Sequence, residues 1–121
     1  MRTFTAKAAS CVIDWSDGSL HGGGVRKSVK LLSQLRGIFA DKSEWQRMDP
    51  GTVVYRVEWI APVQEGTEGG LFWGNTTIEP GRVGEEYFMT HGHFHDRRNR
   101  GEFYSTVRGE GMLVFMDAGE R

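Results

Sequence analysis

The pattern of hydrophobic and polar positions becomes regular at about residue 52. From Val53 to Ile60 the side chains fall into two alternating sets, a period of two that predicts a β-strand. Further short strands are predicted at 71–78, at 86–95 with a bend at Gly92, and as a last pair at 102–107 and 112–115. Turns rich in glycine and proline separate them, which favours a barrel or jelly roll over alternating βα units.

The first 50 residues are less regular. Residues 1–24 are predicted to be irregular, with a short strand near residues 12–15. Apolar residues recur at helical spacing between residues 25 and 40, which predicts a short amphipathic helix or irregular helical turns. A second helix is predicted to start after a cap at Asp41 or Ser43 and to stop before the Asp-Pro-Gly turn at 49–51.

Composition bounds the class of protein. A length of 121 residues predicts one domain, 1–121, with an N-terminal arm and helical turns over about 1–50 and a β-barrel part over about 51–121. A formal net charge of -1 gives no reason to expect nucleic acid as a partner. No apolar run has the length of a membrane span or a signal peptide, and the lone Cys11 excludes an internal disulfide. We therefore expect a cytoplasmic protein without a membrane partner.

Candidate chemistry is concentrated between residues 86 and 104. His93 and His95 are two residues apart, so they project from the same face of a strand. A polar turn at 96–101 separates them from Glu102, which opens the returning strand. Two imidazoles and a carboxylate suit Mn, Fe, Ni, Cu or Zn better than Ca or Mg. The alternative from spacing alone is a surface cluster held by hydrogen bonds.

These residues also carry a resemblance to a known family. The residues from Thr77 to Gly111, with His-Gly-His-Phe-His at 91–95 and an upstream Pro80-Gly81, resemble the first conserved motif of the cupins. More narrowly, they are similar to the cupin-type phosphoglucose isomerases of archaea and some bacteria. The resemblance extends to the N-terminal region of that family through residues 24–29, Trp45 and residues 53–55. It therefore covers nearly the whole chain.

The resemblance implies a fold, a reaction and a site. The fold is an all-β, cupin-like jelly-roll barrel with short N-terminal helical segments. The reaction is the interconversion of glucose 6-phosphate and fructose 6-phosphate, a step of glycolysis and gluconeogenesis. One divalent transition metal (Fe, Mn, Ni or Zn) is implied, with His93, His95 and Glu102 as its ligands. The sugar phosphate would be bound by Thr76, Thr90, Gly92 and Tyr104.

The resemblance also names residues whose roles are open. Glu102 is the implied catalytic residue for proton transfer, although a carboxylate that coordinates a divalent metal is weakened as a base. Tyr55 could contact the sugar phosphate, but its place in an alternating strand favours a role in the barrel wall. Whether the reaction uses a hydride shift or an enediol is open.

The chain departs from the family after the glycine turn at 109–111. Family members continue for several strands that carry a second motif with a further histidine, whereas no histidine follows His95 here. We expect an incomplete barrel whose open strand edges favour a homodimer. The first alternative is a non-catalytic or truncated cupin module that binds a sugar phosphate or a metal. A second alternative is a different cupin enzyme, such as an iron dioxygenase.

Overall fold

The computed structural model describes residues 11–64, 66–93 and 101–115. In chain order the elements are β1 (Cys11–Ile13), β2 (Leu20–Gly22), β3 (Arg26–Leu31), a 3-10 helix (Leu32–Leu35), α1 (Lys42–Arg47), β4 (Val53–Ile60), β5 (Trp73–Ile78), β6 (Arg82–Val83) and β7 (Glu86–Tyr87). The strands form three antiparallel sheets, β1-β2, β3-β4-β5 and β6-β7. The predicted all-β class is confirmed. Among the residues described, no helix has the length and apolar character needed to span a bilayer.

Strand β4 is the middle strand of the central sheet, and its register decides which side chains share a face. Val57 lies opposite Ser28 of β3 and Thr76 of β5. Tyr55 lies opposite Lys30 on one side and opposite Ile78 on the other. Because paired residues in an antiparallel ladder point to the same side, these six side chains occupy one face. We call it the Thr76 face.

The helix predicted over residues 25–40 is wrong for its first part, which is strand β3. Val25 and Val29 are four residues apart, a spacing that puts two side chains on one face of either a helix or a strand. Pairing with β4 decides between the two. The helical turns predicted next are confirmed at Leu32–Leu35, and α1 begins as predicted, with the Asp41 carboxylate accepting from the backbone N–H of Glu44.

The core lies at the end of the central sheet where β4 begins. Its buried members are Leu32, Leu35, Phe39, Val54, Tyr55, Val83 and Phe88. The 3-10 helix thus packs on β4 and on the β6-β7 hairpin, with Trp45 of α1 at the margin. The Trp45 indole N–H donates to the backbone oxygen of Leu32 at 3.0 Å, which fixes α1 to the core.

The β1-β2 hairpin is fastened to the other face of the central sheet through Glu58. Its carboxylate accepts from the backbone N–H of Leu20 at 2.7 Å and lies 2.5 Å from the Lys27 ammonium. The contact with Lys27, and to a smaller extent the hydrogen bond from Leu20, hold the pKa of Glu58 below its ordinary value. The hairpin therefore covers the face opposite the Thr76 face.

The C-terminal strands predicted at 102–107 and 112–115 are not present in residues 101–115, where the backbone is irregular. A strand needs a neighbour for its ladder of hydrogen bonds, and no described segment pairs with this one. Its apolar side chains are consequently exposed, with Phe103 at 84% and Met112 at 89%. The strand predicted from residue 86 is present only as Glu86–Tyr87, and its predicted continuation at 94–95 lies outside the described residues.

Gly81→Ala is expected to destabilise the protein by about 1 to 3 kcal/mol, because the new methyl group would overlap the Phe88 ring, which packs directly on Gly81. Urea unfolding at neutral pH measures the difference. Gly23→Ala is the matched control, since a methyl group there meets no atom within 4 Å. Equal stability of the two variants would contradict the close packing of Phe88 on Gly81.

Candidate functional site

The described members of the predicted site lie on three stretches of chain. Thr76 is in the middle of β5, on the Thr76 face. Thr90, Gly92 and His93 follow β7 in a segment without regular structure, and all three are exposed. Glu102 and Tyr104 are also exposed, in the irregular stretch 101–115. His95 lies outside the described residues, so the structure places two of the three predicted metal ligands.

Tyr55 connects the segment 90–93 to the central sheet. Its side chain is 6% exposed and belongs to the core, yet its hydroxyl lies 3.5 Å from the backbone nitrogen of His91. The N–H of His91 donates to that oxygen in a long hydrogen bond. Tyr55 thereby holds the segment 90–93 at the Thr76 face. The predicted position in an alternating strand is confirmed, and contact with a sugar phosphate stays a prediction.

Lys30 and Ser28 are additional candidates that the sequence pattern did not reveal. Lys30 is half-buried beside Tyr55, and Ser28 is two residues along β3 on the same face. A helical interpretation of residues 25–40 gives neither residue a place near Thr76. Only the pairing of β3 with β4 puts a cation and a hydroxyl on that face, and no local pattern shows that pairing.

Glu102 and Tyr104 are joined directly. The Tyr104 hydroxyl donates to Oε2 of Glu102 at 2.9 Å, and its ring meets Phe115 edge-on, with centroids 6.0 Å apart. Partial burial of the phenol raises the pKa of Tyr104, and the negative Glu102 carboxylate raises that pKa further because it stabilises the protonated hydroxyl. The two predicted site residues therefore act as one unit, with the phenol fixing the orientation of the carboxylate.

A metal fits this donor set by its chemistry. Within the stretches 11–64, 66–93 and 101–115 no three His, Cys, Asp or Glu side chains form a group able to hold a metal ion. The predicted ligand triad includes His95, which lies outside these stretches. Imidazole and carboxylate donors suit a divalent transition metal, and a hydrogen bond that orients a ligating carboxylate is usual in such sites. The Tyr104 hydroxyl supplies such a bond to Glu102.

Similarity to known proteins decides the family. The family model described as glucose-6-phosphate isomerase (GPI) matches residues 29–119, three quarters of the chain. The chain belongs to the glucose-6-phosphate isomerase family. The predicted family resemblance is thereby confirmed. The match includes Tyr55, Thr76, the segment 90–93, Glu102 and Tyr104.

Three relatives show the extent of this similarity. The glucose-6-phosphate isomerase of Pyrococcus horikoshii is 41% identical over 113 residues, which cover 89% of this chain and 57% of the relative. That of Thermococcus litoralis is 40% identical over 113 residues, 89% of this chain and 56% of the relative. A protein named putative glucose-6-phosphate isomerase 2 from Rhizobium meliloti is 36% identical over 107 residues, 86% of this chain and 52% of the relative. The chain spans a little more than half the length of these curated relatives.

Glu102→Gln is expected to lower the pKa of Tyr104 towards its ordinary value, because the substitution removes the negative charge that disfavours the phenolate. The Tyr104 ring resonance, followed by NMR across alkaline pH, reports the midpoint. Glu110→Gln is the control, because Glu110 is an exposed carboxylate of the same irregular stretch. A Tyr104 midpoint that is the same in Glu102→Gln and in the unmodified chain would contradict the Glu102–Tyr104 contact.

Proposed function

We propose that this protein is an aldose–ketose isomerase that interconverts glucose 6-phosphate and fructose 6-phosphate. The family match over residues 29–119 carries the proposal, because it contains Tyr55, Thr76, the segment 90–93, Glu102 and Tyr104. The names of the relatives from Pyrococcus and Thermococcus support the same substrate. None of the three relatives is named a dioxygenase, whereas a non-catalytic or truncated module of the same family would match the same relatives.

Substrate binding is proposed at the Thr76 face. Thr76 and Thr90 offer hydroxyl groups, and Gly92 offers a backbone N–H to which a ligand can come close. Lys30, half-buried on the same face, offers a positive charge for the phosphate dianion. The contact of Tyr55 with His91 would keep the Thr90–His93 segment next to the face that carries Thr76.

His93, His95 and Glu102 are the residues that would hold a divalent transition metal. When bound, such an ion polarises the sugar carbonyl and stabilises negative charge on its oxygen. Tyr104 would keep the Glu102 carboxylate turned towards that position through its hydrogen bond. The imidazoles would be neutral, since a protonated ring cannot ligate.

Isomerisation also moves hydrogen between C1 and C2 of the sugar. Glu102 is the proposed proton carrier. Its carboxylate would take the proton from one carbon and return it to the other. The hydrogen bond from Tyr104 fixes the direction of the Glu102 carboxylate. A hydride shift would leave Glu102 with the single role of ligand.

A homodimer is proposed as the assembly. β3 and β5 are the outer strands of the central sheet, so each has one side without a partner strand in the described part of the chain. Outer strands pair readily with a second chain.

The decisive test is isomerase activity of the metal-stripped protein, before and after addition of Mn, Fe, Ni or Zn, coupled to detection of glucose 6-phosphate. We expect the added metal to restore turnover. His93→Ala should reduce turnover by about 100-fold or more, because loss of a metal ligand removes the ion that stabilises negative charge on the sugar oxygen. His21→Ala is the matched control, an exposed histidine on β2. Tight metal binding without turnover would contradict the isomerase and favour the binding module.

Lys30→Gln is expected to raise the KM for fructose 6-phosphate by about tenfold, with little change in kcat, because it removes a charge that attracts the phosphate without touching the reacting carbons. The effect should shrink at high ionic strength. Lys27→Gln is the control, since Lys27 lies on the opposite face of β3. Similar KM changes in both variants would contradict the assignment of the Thr76 face.

A further inference from the structure

A cleft separate from the candidate site lies between the end of the 3-10 helix and α1. Its volume is about 220 Å³. It is lined by Arg36, Gly37, Phe39, Lys42, Trp45 and Gln46. None of these residues belongs to the Thr76 face or to the segments 90–93 and 101–115.

The apolar walls of the cleft are fixed in place. Trp45 is half-buried, and the hydrogen bond from its indole N–H to Leu32 sets the plane of the ring. Phe39 is 3% exposed and packs against the Phe88 ring, with centroids 6.5 Å apart and planes tilted by 58°. A flat or apolar group that enters the cleft therefore meets mainly the Trp45 ring, which is already oriented, so little conformational freedom is lost on binding.

The charged groups of the cleft are both positive. Arg36 and Lys42 are exposed, and in the part of the chain that the structure describes no carboxylate forms an ion pair with either. Two acidic residues of this region accept hydrogen bonds from other groups. The Asp41 carboxylate accepts from Ser43 and from the backbone of Glu44, and Glu86 accepts from the backbone N–H of Ala40 at 2.6 Å.

We propose that this cleft binds a small organic phosphate monoester. The phosphate would lie between Arg36 and Lys42, where a guanidinium can bind two oxygens at once and an ammonium adds a point charge. The organic part would lie on Trp45, with the Gln46 amide available for a hydroxyl or ether oxygen. A volume of 220 Å³ admits one ring with its phosphate and excludes a dinucleotide.

Fluorine NMR of the protein labelled with 5-fluorotryptophan tests the proposal. The chain has 4 tryptophans, and Trp45→Phe assigns the resonance of Trp45. Phenyl phosphate, inorganic phosphate and phenol are the three probes. We expect phenyl phosphate to shift the Trp45 resonance saturably with a Kd of about 1 mM, inorganic phosphate to bind several-fold more weakly, and phenol to bind least, because each control lacks one of the two contacts.

Substitution of both cations separates this cleft from general anion binding. The double variant Arg36→Gln, Lys42→Gln should weaken phenyl phosphate binding by about tenfold or more, because the charge-assisted hydrogen bonds are lost. Arg47→Gln removes an exposed cation of α1 outside the cleft. This variant should change the Kd for phenyl phosphate by less than about twofold. The other fluorine resonances report whether each variant keeps its fold.

Three results would overturn the proposal. One is the absence of a saturable Trp45 shift with phenyl phosphate up to about 50 mM, a concentration far above any specific affinity of interest. Another is equal affinity for inorganic phosphate, which would leave only an anion site. The third is equal affinity for phenyl phosphate in the double variant and in the unmodified protein.

Should that variant unfold, binding of phenyl phosphate to the unmodified protein is measured at low and high salt instead. Weaker binding at high salt would support the role of the two cations, and unchanged binding would overturn it.

Discussion

The antiparallel pairing of β4 with both of its neighbours is the constraint on which the rest of this structure depends. That pairing puts Tyr55 on the same face as Thr76 and, at the same strand end, brings Val54 into the core. A slip of one residue would send every side chain of β4 to the other face. The candidate site would then lose Tyr55, whose hydroxyl keeps the segment 90–93 at the sheet.

Much of this could be predicted from the sequence. The alternation in β4, the cap at Asp41 and the spacing of His93, His95 and Glu102 are local patterns, which the sequence shows directly. Strand β3 could not be told from a helix, because the four-residue spacing of its valines fits both periods. The sequence does not indicate Lys30 for the same reason, because its place beside Tyr55 depends on long-range pairing.

The core and the candidate site share residues, and this bears on how the site is held. Tyr55 is buried among apolar side chains and uses its hydroxyl at the site, while Phe88 is a core residue two positions before Thr90. The Thr90–His93 segment therefore leaves the core directly. By contrast, Glu102 and Tyr104 are exposed; a hydrogen bond joins them, and the Tyr104 ring contacts the Phe115 ring. The cleft at Trp45 adjoins the same core, because Phe39 belongs to both.

The proposed function requires that Thr76 and the segment 90–93 bind one sugar phosphate together. A titration with fructose 6-phosphate tests this requirement when the backbone amide resonances of Thr76 and Gly92 are followed by NMR. We predict that both resonances shift with the same Kd, and that Tyr55→Phe weakens this common Kd because the segment is no longer held by the Tyr55 hydroxyl. Shifts at only one of the two residues, or different Kd values for them, would contradict binding of one ligand by both.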